Sequence, residues 1–133
     1  MFRMKNVKYT FDAVASMLDL IVDEIPDQLL RGLDGVFLVD GEKHNEKIPS
    51  ENYYVMGQFR HGGGTQPVID LYYGSIIAVH GNLETQDLMT ELRKIVRHEL
   101  RHHMETLAGC DDLVRLDEMY VRDALEKLGP AEQ

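Results

Sequence analysis

The sequence predicts an α+β fold: a small mixed sheet packed on helices, with residues 1–133 forming a single domain. Three observations carry this. Apolar residues recur at helical spacing from Phe11 to Ile25 and again from Leu88 to Leu107. Between them lie short apolar runs bounded by glycines, of strand length rather than helix length. The chain has 133 residues, 44% apolar and 28% charged, which suits one globular domain with a real core.

Thr10 is placed to cap a first helix, in which Phe11, Val14, Leu18, Ile21, Val22 and Ile25 form the buried stripe. Pro26 interrupts it, and Asp27 to Leu30 form a further turn. Val36 to Val39 reads as a first strand. Asp40 to Asn52 reads as an exposed loop and Tyr53 to Phe59 as a second strand. His61 to Gly64 reads as a flexible turn. Val68 to Tyr73 and Ser75 to Val79 read as two more strands, broken at Gly74. A long helix is expected from about Thr85 to Ala108, with Gly109 ending it in a left-handed conformation. Asp111 or Asp112 then caps a last helix, with Leu113, Leu116, Tyr120, Val121, Ala124 and Leu128 inside, stopped by Gly129-Pro130.

The long helix contains His98-Glu99-Leu100-Arg101-His102. In an H-E-x-x-H run the histidines are four apart, so both imidazoles face one side of the helix and can meet one zinc ion. The intervening glutamate reaches the water that such a metal activates, as general base. With six histidines in the chain, roughly 0.02 such runs are expected by chance. The helical wheel adds weight. Leu88, Met89, Leu92, Ile95, Val96, Leu100, Met104 and Leu107 form the apolar stripe, and Glu99 falls inside it. A carboxylate there costs free energy unless it has a partner. Lys94, Arg97 and Arg101 fall on the opposite, solvated face.

A catalytic zinc usually has three protein ligands. Glu105, one turn beyond His102, ranks first as the third, either ligating directly or holding a ligand histidine from behind. Asp112 is the alternative, and Asp117 lies one turn deeper. His103 points into the stripe as a core residue. His44, His61 and His80 fall in loops or at strand ends, with His80 a lesser candidate for the pocket wall.

The chain resembles a family of short, zincin-like metallopeptidases of bacteria. The resemblance rests on His98-Glu99-Leu100-Arg101-His102-His103-Met104-Glu105, on Leu107-Ala108-Gly109, and on Asp112-Leu113 with Asp117. Phe59 to Gly74 and Ile25-Pro26 extend it over most of the chain. It implies a minimal zincin fold, zinc-dependent peptidase activity and a cytoplasmic location. Many members carry a glycine soon after the second histidine. Here Glu105 stands at that position and the glycine follows at Gly109, so the third ligand stays open between Glu105 and Asp112.

The expected function is therefore hydrolysis of a peptide or protein substrate, with Zn2+ held by His98, His102 and Glu105 and with Glu99 as base. Tyr120 or His80 is a candidate oxyanion donor. Val68 to Tyr73 is a candidate edge strand for an extended peptide. The alternatives are a zinc-binding regulatory or interaction module with little turnover, and metal-dependent hydrolysis of a non-peptide substrate. A net charge of −9 argues against nucleic acid as partner. The glycine run lacks the lysine and following helix of a phosphate loop. No apolar run approaches the ~20 residues of a membrane span. Met1 to Lys5 is not followed by a signal-like apolar segment. The single cysteine, Cys110, allows no internal disulfide, which suits a cytoplasmic protein.

Overall fold

A computed structural model describes residues 7–44, 53–62 and 64–109. Helix α1 spans Phe11–Asp23, and a 3-10 turn follows at Asp27–Leu30. Strands β1 (Gly35–Val39), β2 (Gly57–Gly62) and β3 (Thr65–Tyr72) come next. Helices α2 (Tyr73–His80) and α3 (Thr85–Ala108) complete the order. The α+β class is as the sequence predicts.

Helices α1 and α3 are fixed by local contacts. The Thr10 hydroxyl accepts from the Ala13 N–H at 3.1 Å, the side-chain cap expected of it. Val14, Leu18 and Ile21 are the buried stripe of α1, and Pro26 prevents its continuation. Helix α3 buries Leu88, Leu92, Val96, Leu100 and Met104 against the sheet and α1, with Glu99 and His103 among them. Its start is tied down by the Tyr9 hydroxyl, which donates to the Leu83 carbonyl at 2.6 Å.

The sheet has the order β1-β3-β2. Strand β1 runs parallel to β3, with Gly35 opposite Val68, and β2 runs antiparallel to β3, with Gly57 opposite Leu71. Strand β3 is thus the central strand, not an edge. Ile69 and Leu71 face the core, and Asp70 points the other way to pair with Arg60. The expected role of Val68 to Tyr73 as an open edge is ruled out, because both its sides are paired. Among the described residues, β1 and β2 are the outer strands instead.

Three further expectations are corrected. Ser75 to Val79 is helix α2, not a strand. Tyr73 to Ile77 are buried in succession, without the alternation of a half-exposed strand. Gly74 lets the turn into α2 press against the backbone of Gly41. Its N–H donates to the Gly41 carbonyl at 2.6 Å, and a Cβ there would lie 2.6 Å from that carbonyl. The second strand starts at Gly57 rather than Tyr53 and runs through His61 to Gly62. The chain reverses after it, with φ of 102° at Gly62 and 78° at Gly64, values that favour glycine. Gly109 ends α3 at φ −85° and ψ −3°, in the right-handed region. Cys110, Asp112, Asp117, Tyr120 and the expected last helix lie outside the described residues.

Candidate functional site

The site is built where the edge of β2 meets the middle of α3. His98 and His102, one helical turn apart, bring their Nε2 atoms to 3.3 Å, with the ring planes at 87°. Two nitrogens bound tetrahedrally to zinc at about 2.0–2.1 Å lie about 3.3–3.4 Å from each other. The pair therefore has the spacing that such an ion imposes, and imidazole nitrogen suits zinc. Among the described residues, no three His, Cys, Asp or Glu side chains gather as a metal cage.

Glu99 stands beside the pair with 8% of its surface exposed. Burial pushes its carboxyl above the usual carboxylate range. Positive charge on His98 and His102 and the backbone N–H of Phe59, which its carboxylate accepts, pull the other way. Phe59 lies on β2, an outer strand of the sheet among the described residues, so the strand brings that N–H beside the base. Gly57 permits this approach: a Cβ there would meet Ile95 Cγ2 at 2.9 Å, the Asp70 carbonyl at 3.2 Å and Glu99 Cγ at 3.5 Å.

Around Glu99 the surface opens into a cleft of two lobes that share Gly57 and Glu99. One, of about 490 Å³, is bounded by Phe59, His61, His102, Glu105 and Thr106. The other, of about 310 Å³, is bounded by Met56, His80, Glu91, Lys94, Ile95 and His98. Lys94 thus reaches the cleft wall rather than lying wholly on the far face, and it pairs with Glu91 at 3.4 Å. Arg93 is bidentate to Glu24 of α1, at 2.9 and 3.0 Å.

Glu105 is 61% exposed, with Oε1 3.6 Å from Nδ1 of His102. It stands at the nitrogen turned away from His98. His103 is a fully buried core residue, as expected. It hydrogen-bonds the Arg31 carbonyl at 2.8 Å, and burial pushes its pKa down. His44 pairs with Glu42 at 3.1 Å and tilts against Tyr54. His80 lines the second lobe, with Glu91 3.9 Å away. His61 is the residue that a loop assignment conceals. It lies on β2 two positions after Phe59, stacks on that ring at 5.0 Å, and overhangs the first lobe. The alternation Gly57, Phe59, His61 is the signal that places all three on one strand face.

A solved structure described as a conserved hypothetical protein from Thermus thermophilus superimposes on the chain with a TM-score of 0.67. It is 30% identical in sequence, and the match covers 75% of this chain and 98% of that one. The chain belongs to the same family as that protein. The relationship establishes a shared fold and names no activity. No protein-family model matches the chain, and no curated protein does. Among the described residues, no helix is long and apolar enough to cross a membrane.

Proposed function

We propose that the chain is a zinc-dependent metallopeptidase of the minimal zincin type, acting in the cytoplasm on a peptide or protein substrate. The observation that carries this is the convergence of His98 Nε2 and His102 Nε2 at 3.3 Å beside a buried glutamate. His98 and His102 hold the metal. Their donor chemistry and spacing fit zinc, and Asp112, the alternative third ligand, falls outside the described residues. Zinc, when bound, supplies Lewis acidity: it polarises a carbonyl and makes water a nucleophile near neutral pH.

The remaining chemistry belongs to the side chains. A carboxylate oxygen of Glu99 takes the proton from the attacking water and returns it to the leaving nitrogen. The Phe59 N–H favours the charged form of that carboxylate, which is 8% exposed at the floor of the cleft. An extended peptide lies along β2, an outer strand among the described residues that borders the cleft. The candidate N–H donors for the developing oxyanion are His61, which lines the first lobe, and His80, which lines the second.

The test is cleavage of a broad peptide and casein-like protein panel by the zinc-loaded, chelator-stripped and reloaded protein. Activity that follows the metal supports the enzyme. A hydrogen bond between the two histidines gives the same 3.3 Å spacing without a metal. Absence of zinc binding in the intact chain selects that reading. Zinc binding without turnover on any substrate selects a regulatory or interaction module.

A further inference from the structure

We infer that Glu105 is a positioning residue, which holds the His102 imidazole from behind and is not itself a metal ligand. The inference rests on reading His98 and His102 as the metal pair, and it assigns the acidic residue next to them. Nε2 of His102 faces Nε2 of His98 at 3.3 Å. Nδ1 of the same ring has Glu105 Oε1 at 3.6 Å. The two nitrogens of an imidazole point away from one another. A carboxylate at Nδ1 therefore stands on the opposite side of the ring from whatever Nε2 holds.

The chemistry of imidazole gives that placement its use. A neutral histidine ligates through its unprotonated nitrogen, so the proton must sit on the other one. The Glu105 carboxylate stands 3.6 Å from Nδ1, beyond hydrogen-bond range in this structure, and a small side-chain rotation brings it to accept from Nδ1–H. It thereby selects the tautomer whose Nε2 lone pair is free, and it fixes the ring's rotation. The helix supplies the spacing, since residues three apart are neighbours on one face of α3. Glu105 is too exposed for the contact itself to add much stability. Its effect is on which nitrogen is available and where that nitrogen points.

Two measurements on the full chain test this. The first reads the His102 tautomer by long-range 1H–15N correlation in zinc-free protein at about pH 8, above the usual histidine range. The wild type is expected to carry its proton on Nδ1. Glu105→Gln, which keeps an acceptor oxygen, is expected to preserve that state, and Glu105→Ala to relax towards Nε2–H. The second is zinc affinity by competition with a chromophoric chelator, together with the cobalt(II) absorption spectrum. Glu105→Ala is expected to bind about 10–100-fold more weakly with an unchanged cobalt spectrum, and Glu105→Gln close to wild type. A zinc loss in Glu105→Ala as complete as in His102→Ala, with an altered cobalt spectrum, makes Glu105 a ligand and overturns the inference. Wild-type affinity and an unchanged His102 tautomer in Glu105→Ala overturn it equally. If wild type, His98→Ala and His102→Ala all bind zinc alike, the metal-pair reading fails instead, and the metal-free tautomer decides the place of Glu105 separately.

Discussion

Glu99 occupies a place on α3 that an apolar residue would fill at less cost, at 8% exposure between Ile95 and the buried His103. Burial raises its pKa, so the carboxylate form weakens the fold near neutral pH. Retaining it there makes sense if the charge has work to do beside His98 and His102. At the same scale, the two histidines act together. His98→Ala and His102→Ala are each expected to lower zinc content from about one ion per chain to a small fraction of it, since catalytic zinc sites use three protein ligands. Elemental analysis after dialysis checks this. Wild-type zinc content in both variants would place the metal elsewhere.

At the scale of elements, the site depends on how closely β2 approaches α3. Gly57→Ala puts a methyl 2.9 Å from Ile95 Cγ2 and 3.2 Å from the Asp70 carbonyl, so strand and helix must separate. The expected cost is about 1–3 kcal/mol in chemical denaturation. Hydrolysis should fall further than zinc affinity, because the Phe59–Glu99 bond moves while His98 and His102 stay on one helix. Equal stability and full activity in Gly57→Ala would show that the approach is not needed. Helix α2 offers a pH test. His80 at its end is pushed below the usual histidine pKa by burial; the Glu91 carboxylate opposes this and the Lys94 ammonium adds to it. The unfolded chain takes that proton near pH ~6.5 and the folded chain only at lower pH. The His80 contribution is thus complete above about 6.5 and lost as pH falls below it. His80→Asn is expected to show a shallower loss of urea stability between pH 7 and 5. The difference is bounded by about 1.4 kcal/mol per pH unit for one proton. Parallel profiles would remove His80 from the account.

These elements were unevenly legible. Helix α3 was readable to its ends because its stripe persists over six turns and a glycine follows. Helix α1 was readable from Thr10 and Pro26. Helix α2 was not, because Ile76-Ile77-Ala78-Val79 has no periodicity that separates a buried strand from a buried helix. The strand order was not, because nothing local to Val68–Tyr73 says that partners arrive on both sides. The placing of Phe59 and His61 over the site depends on that order, so the base's backbone partner became visible only in three dimensions. The motif itself was legible because both histidines and the glutamate lie within five residues of one helix.

For the whole molecule, α3 is clamped from several directions. Arg93 pairs with Glu24 of α1, His103 bonds the Arg31 carbonyl, and Tyr9 holds the Leu83 carbonyl. The site therefore sits on a braced helix rather than a free one. A ligand that binds only the folded state adds to that bracing. Zinc at a hundred times its dissociation constant should stabilise the protein by about 2.7 kcal/mol. A melting temperature that does not move between zinc and chelator would contradict a built metal site.

If this braced helix presents a metal pair together with its base, one comparison shows it directly. Zinc-loaded wild type and Glu99→Gln, matched for zinc content, are assayed on the same substrate found by screening. Gln is nearly isosteric and cannot take the proton, so equal zinc is expected with kcat reduced about 10²–10⁴-fold. Undiminished cleavage by zinc-loaded Glu99→Gln would contradict the account.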